Sequence, residues 1–165
     1  MKKLMIIALA ALLMAFGLAY SESYAKNGML IAPGSLNANI GLGLRYVTGF
    51  GFGGGVEYGI GKFVIAEKLP FTYGMAGRAG LGLTSSVSFS AGVFGTLHFA
   101  WGALKFPAEL AWLSNFDSNI GLGVTVFPTV DFDSIGGISY YLSNSVAINL
   151  ESGLRASYIS VLFKL

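Results

Sequence analysis

His98 is the single histidine of the chain, and there is no cysteine. A hydrolytic centre would need that imidazole beside a serine and a carboxylate. Serines are plentiful, but none stands in a G-x-S-x-G elbow or another nucleophile signature. His98 therefore reads as a hydrogen-bonded interior residue, and no catalytic residue is assigned. Metal chemistry is equally thin. Asp131-x-Asp133 lacks the remaining ligands of a calcium loop and reads as turn chemistry. The glycine string Gly49–Gly55 is followed by neither the lysine nor the helix that a phosphate loop requires. No cofactor and no metal are expected. Ionic pairing remains: Arg45, Glu57, Arg78, His98, Glu109, Glu151 and Arg155 fall on the less apolar faces of their segments. Acids and bases in that number can pair with one another across a narrow interior.

The segments that carry these residues alternate with period two. Leu36, Ala38, Ile40, Leu42, Leu44 and Tyr46 share one face, against Asn37, Asn39, Gly41, Gly43 and Arg45. Phe50, Phe52, Val56, Tyr58 and Ile60 oppose Gly51, Gly53, Gly55, Glu57 and Gly59. Phe71–Leu83 and Val87–Trp101 continue the pattern, with Arg78 and His98 on the polar side. Phe106–Leu113, Ile120–Val126, Ile138–Leu142, Val146–Leu150 and Ile159–Leu165 repeat it in shorter form. Such alternation is the signature of strands with one apolar face. The parity changes between Leu154 and Ile159, which predicts a turn or bulge near Arg155–Ser157. Thr48-Gly49, Ser85-Ser86 and Ser143-Asn144-Ser145 read as tight hairpins; Gly61–Pro70, Gly102–Lys105, Ser114–Asn119 and Pro128–Ser134 read as longer loops. Asn115, Phe116 and Asp117 are thereby expected in a loop, and an extra short strand is allowed at Lys62–Ala66.

Composition decides which way these strands face. The chain has 165 residues, 54% hydrophobic and 11% charged, where a soluble domain carries roughly 25% charged residues. An ordinary cytosolic enzyme is not expected on that ground. A net charge of +2 is too small to argue for nucleic acid. A soluble barrel would need charges outside, and the less apolar face is mostly Gly, Ser, Thr and Asn. Thirteen phenylalanines, eight tyrosines and two tryptophans also do not fit a small interior. Turning the apolar face toward lipid removes both problems. A strand of about ten residues, tilted near 40°, rises roughly 25 Å, the height of an outer-membrane apolar band. Tyr58, Tyr73, Trp101 and Trp112 then lie near strand ends, where interfacial girdles form.

Met1-Lys2-Lys3 is a short basic region, followed by an apolar run from Leu4 to Ala19 and by Ser23-Tyr24-Ala25. That is the layout of a cleavable signal peptide over residues 1–25, leaving 26–165 as one domain close to neutral charge. The signal peptide, the dyad alternation and the final segment together resemble the small bacterial outer-membrane β-barrels of the OmpX, OmpW and OmpA-transmembrane-domain type. Tyr158, Ile159, Val161, Phe163 and Leu165 resemble the assembly signal on the last strand of such proteins, with the aromatic at Phe163 and leucine at the end. The resemblance implies an all-β, closed antiparallel up-and-down transmembrane barrel in the bacterial outer membrane. It also implies outer-membrane lipid as solvent, and periplasmic chaperones and the barrel-assembly machinery as partners during biogenesis. Nine runs are clear in the sequence, and bacterial barrels carry even strand numbers. Eight strands are expected, with two runs joined or one outside the barrel; ten is the alternative.

The expected function is a monomeric, non-enzymatic membrane barrel with a filled lumen and a structural or surface-interaction role. A narrow channel or carrier for small or apolar solutes is the second reading. A lipid-modifying enzyme using His98 as base and a secreted soluble β-protein are the others.

Overall fold

A computed structural model of the chain describes residues 31–45, 49–66, 69–83 and 87–165, with Arg45 as backbone only. The signal-peptide reading of residues 1–25 and the side chain of Arg45 lie outside the described residues. So do most of the Thr48-Gly49 and Ser85-Ser86 turns.

Eight strands close into one antiparallel barrel in chain order: β1 (Leu36–Arg45), β2 (Gly49–Ile65), β3 (Leu69–Leu83), β4 (Val87–Ala100), β5 (Phe116–Phe127), β6 (Asp131–Tyr141), β7 (Val146–Gly153) and β8 (Ala156–Lys164). β1 pairs with β8 from Asn37↔Lys164 to Arg45↔Ala156, so the sheet has no outer edge strand. The strands are tilted. Following paired residues from Gly43 leads through Tyr158, Glu151, Gly137, Asn119, His98 and Thr72 to Lys62, past the level at which β1 begins. This stagger is what closure of a small barrel requires.

Alternation sets the two faces. Ile40, Leu42, Leu44, Phe50, Phe52, Val56, Met75, Phe89, Ile120 and Leu122 are exposed on the outer wall. Asn37, Glu57, Thr72, Arg78, Thr96, His98, Asp117, Asn119, Ser139, Asn149, Glu151 and Ser160 are buried inside it. Glycine supplies the space. A Cβ on Gly53 would sit 2.5 Å from the Tyr158 ring, and one on Gly55 would sit 2.7 Å from Cδ of Arg78. Side chains that reach the interior thus lie against bare backbone, Arg78 on the adjacent strand and Tyr158 across β1 on β2.

Both chain ends of the barrel lie at one rim, here the terminal rim. There β2 and β3 run on past Tyr58 as a projecting hairpin, after a bulge at Gly59/Gly61. Residues 31–35 fold back over the same rim: Gly34 N–H donates to Gly59 O at 2.8 Å, and Gly59 N–H donates to Ser35 O at 2.9 Å. Ile31 packs there with Tyr141, Ala147 and Leu162.

Several expected boundaries are corrected. Phe106–Leu113 is not a strand. It belongs to the connection between β4 and β5, which holds two 3-10 segments, Trp101–Ala103 and Ala108–Asn115. β4 pairs directly with β5 (Ala100↔Asp117), so the run between them has no partner strand and its alternation buries nothing. This is the ninth run, and it lies outside the barrel. Gly61–Pro70 is mostly strand, because β2 continues to Ile65 and β3 starts at Leu69; Lys62–Ala66 is an extension of β2, not an added strand. β5 begins at Phe116 and β6 at Asp131, which shortens two further loops. The parity change has its source one residue earlier than expected. The β7–β8 turn is Leu154-Arg155, with φ of 52° and 60°.

Candidate functional site: the buried ionic chain of the lumen

Five ionisable side chains from five strands form one alternating chain inside the barrel: Glu151, Arg78, Glu57, His98 and Asp117. Arg78 on β3 is the first junction. Its Nη2 donates to Glu57 Oε2 at 2.8 Å, and its Nε donates to Glu151 Oε1 at 2.9 Å. Nη2 also reaches Glu151 Oε2 at 3.1 Å, and Nη1 donates to Val56 O at 3.2 Å. The planar fork of guanidinium donors suits this double engagement, which one ammonium cannot reproduce.

His98 on β4 is the second junction. Its Nε2 lies 2.8 Å from Glu57 Oε1, and its Nδ1 lies 2.9 Å from Asp117 Oδ1. Both ring nitrogens face carboxylate oxygens, and only the doubly protonated imidazolium donates to both. Thr96 Oγ1 also donates to Glu57 Oε1. The position a nucleophilic hydroxyl would take opposite Nε2 is held by a carboxylate, so the cluster is an ion-pair chain rather than a nucleophile–base pair.

Burial makes the pairing compulsory. Arg78, Glu57, His98 and Asp117 expose only 1–6% of their surface. An isolated charge taken out of water costs several kcal/mol even after relaxation, so each acid here needs its base. The register delivers them. Glu57 and Arg78 lie on neighbouring strands two positions out of register (Glu57↔Ala76, Gly55↔Arg78), and Gly55 leaves room for the arginine stem. Glu151 sits opposite Gly137, across the lumen from β3. Tyr158 completes the wall, its ring lying against Gly43 and Gly53. An apolar cluster of Ala76, Phe94, Ile135 and Leu154 packs next to the chain. The space lined by Arg78, Glu151, Tyr158, Ile135 and Leu154 amounts to about 10 Å³, at the lower limit for a single water. Among the described residues no three His, Asp or Glu side chains are grouped to hold a metal ion.

Of the residues singled out in the sequence, Glu57, Arg78, His98 and Glu151 come together in this chain. Glu109 and Arg155 do not. Glu109 is exposed in the 3-10 segment Ala108–Asn115, outside the barrel. Arg155 is 74% exposed in the β7–β8 turn, 3.7 Å from Asp131. The turn falls at Leu154-Arg155, so Arg155 is released from the inward parity that β7 would have imposed. Asp117, Thr96 and Tyr158 are the members not foreseen. Asp117 was expected in a loop because Ser114, Asn115 and Ser118 around it are turn formers. Extending the odd-numbered polar face of β5 backward (Gly123, Gly121, Asn119, Asp117) is the signal that finds it.

Tyr158 points into the lumen, whereas Ile159, Val161 and Phe163 point outward and Leu165 follows the strand. Tyr58 lies opposite Leu36 at the terminal rim. Trp101 and Trp112 are in the β4–β5 connection beyond that rim rather than on strands. Tyr73 joins a band of contacting rings there: Phe63, Phe71 and Phe99 follow with centroids 5.2–6.3 Å apart, and Trp101, Phe116, Tyr140 and Trp112 continue it in tilted and edge-on contacts. The opposite rim carries the pairs Phe50–Phe52 and Phe89–Phe127.

No family model matches the chain, and no curated protein matches it. Among solved structures it is similar to a chain described as "De novo design of transmembrane beta-barrels", at a TM-score of 0.56 and 18% identity. The match covers 83% of this chain and all of the designed one. At that identity the likeness concerns the fold, a closed eight-stranded antiparallel barrel of the transmembrane kind.

Proposed function

We propose that the chain is a monomeric integral barrel of the bacterial outer membrane, sealed by its ionic chain, with a structural or surface-interaction role and no catalytic one. One observation carries this reading: the distribution of side chains is inverted. Leucine, isoleucine, valine and phenylalanine cover the outer wall, while Glu57, Arg78, His98, Asp117 and Glu151 are paired inside. In water, an apolar patch of a few hundred Å² is already exceptional on a monomer. A continuous apolar belt has lipid as its natural surroundings. Closure serves the same end, since unpaired backbone groups cannot face hydrocarbon.

The lumen supports the sealed reading over the channel reading. Arg78 reaches from β3 to Glu151 on β7, residues 31–35 cover the terminal rim, and the space left beside Arg78 is about 10 Å³. An eight-stranded barrel is filled by its own side chains.

The test is electrophoretic mobility of the detergent-extracted membrane fraction, run cold and after boiling. A folded membrane barrel is expected to migrate differently before boiling, and to be absent from the soluble fraction. Protein that stays soluble without detergent overturns the membrane reading. In planar bilayers no unitary conductance is expected; steps that are lost with an antibody or a lumen variant overturn the sealed lumen in favour of a narrow channel or carrier.

A further inference from the structure

The connection between β4 and β5 folds against the outside of the barrel wall. Trp101 Nε1 donates to Ser118 Oγ at 2.8 Å, and Ser118 shares the outward face of β5 with the exposed Ile120 and Leu122. Trp101 and Trp112 both rest on the ring of Phe116, with centroids 5.5 and 5.8 Å away, and Phe116 rests on Tyr140 of β6 at 5.0 Å. The connection turns inward only at its return to the wall, where Ser114 and Asn115 are buried. Its free surface is apolar: Leu104, Leu110 and Trp112 are 38–49% exposed. Within residues 101–115 the charged side chains are Lys105 and Glu109, both exposed.

Two opposed demands fix the depth of this element. Leucine and tryptophan beside an apolar wall gain by entering lipid. Lys105, Glu109 and backbone that belongs to no ladder need headgroups or water. Both demands are met at the boundary between hydrocarbon and headgroups. The opposite rim has no counterpart among the described residues. Its connections there are residues 128–130 between β5 and β6 and residues 154–155 between β7 and β8. The outward rings differ as well. Tyr58, Tyr73 and Tyr140 stand with the tryptophans toward the terminal rim, and each of these rings joins an apolar body to a polar tip. The other rim carries Phe50, Phe52, Phe89, Phe127 and Phe132, which have no polar tip.

From this asymmetry we infer that the β4–β5 connection is a one-sided membrane anchor whose partner is the phospholipid surface at the terminal rim. Leu104, Leu110 and Trp112 enter the edge of the acyl region, and Lys105 meets lipid phosphate. A barrel with amphipathic girdles at both boundaries is held at two levels; this one is held at one. A mismatch between the apolar belt and the bilayer has to be taken up somewhere. The anchor keeps its level, and the phenylalanine rim moves relative to its own boundary. This inference rests on the membrane reading above.

Trp101 and Trp112 are the two tryptophans of the chain, so tryptophan emission of the folded barrel reports the anchor alone. The test is quenching of that emission in phosphatidylcholine bilayers by lipid brominated near the headgroup, by lipid brominated near the chain ends, and by aqueous iodide. Trp101→Phe isolates Trp112. Bromine near the headgroup is expected to quench Trp112 several-fold more than either alternative. Strongest quenching by iodide places the connection in water, and strongest quenching by the deep bromine places it in hydrocarbon; either result overturns the anchor. A second reporter reads the one-sidedness: Phe132→Trp on the outward face of β6, with both native tryptophans changed to Phe. As the acyl chains of the bilayer lengthen, the quenching profile at position 132 is expected to shift while that of Trp112 holds. The same behaviour at both positions overturns one-sided anchoring. Cold and boiled mobility is read on the same samples. A folded, inserted barrel that fails these tests overturns the anchor alone, and a chain that does not insert overturns the membrane reading and the anchor with it.

Discussion

Arg78 and Gly53 show how much of the lumen hangs on single residues. Arg78 neutralises Glu57 and Glu151 together, so Arg78→Met leaves two buried carboxylates without their common base. The expected loss is about 3–5 kcal/mol, read as a lower urea midpoint of the cold-mobility band in vesicles. A midpoint equal to wild type would remove the ionic chain from the determinants of stability. Arg78→Lys is expected to recover only part, because one ammonium cannot serve both carboxylates in plane. Gly53→Ala drives a methyl into the Tyr158 ring and is expected to cost about 1–3 kcal/mol. Combining it with Tyr158→Leu should return most of that, so the two changes are non-additive in the same urea assay. Glu57, Arg78, His98 and Glu151 were legible in the sequence because alternation places them inward whatever their partners. Their pairings were not legible, since those depend on register between strands far apart in the chain. Asp117 was hidden by turn-forming neighbours, and Glu109 was assigned to the lumen by an alternation that no partner strand uses.

Strands were read more reliably than connections for a related reason. A strand in this barrel repeats its constraint at every second residue, and ten or more residues average out exceptions such as the inward Phe94. A connection has no such repetition. Phe106–Leu113 alternates over a stretch too short to decide, and Pro107 at its start supplies no N–H to a ladder. Gly61 and Pro70 punctuate a segment that the β2–β3 ladder nevertheless carries from Phe63↔Phe71 to Ile65↔Leu69. The β4–β5 connection therefore contributes little to closure. Replacing residues 104–113 with a short Gly-Ser linker is expected to leave the mobility shift intact, because Ala100↔Asp117 already fixes the register. Loss of the shift would show that the 3-10 segments are needed to form the barrel. Trp101 lies outside the replaced stretch and keeps its 2.8 Å hydrogen bond to Ser118 Oγ.

The barrel as a whole depends on one seam. β8 pairs with β7 on one side and closes onto β1 on the other, and the β1–β8 ladder takes in all of β8 and all of β1 but Leu36. Ending the chain after Ser160 removes the pairs from Ile40↔Val161 to Asn37↔Lys164. The expected result is complete loss of the boiled-versus-cold shift rather than a graded decrease, because half a seam leaves open backbone toward lipid. A graded decrease would mean that the wall tolerates a breach. The seam also has a consequence in time. A ribosome delivers β1 first and β8 last, so the second neighbour of β1 exists only at the end of synthesis, whereas every other pairing joins strands adjacent in sequence. Until then the growing polypeptide carries one unpaired flank beside a greasy outer wall. Closure of the wall therefore waits until the whole length is available.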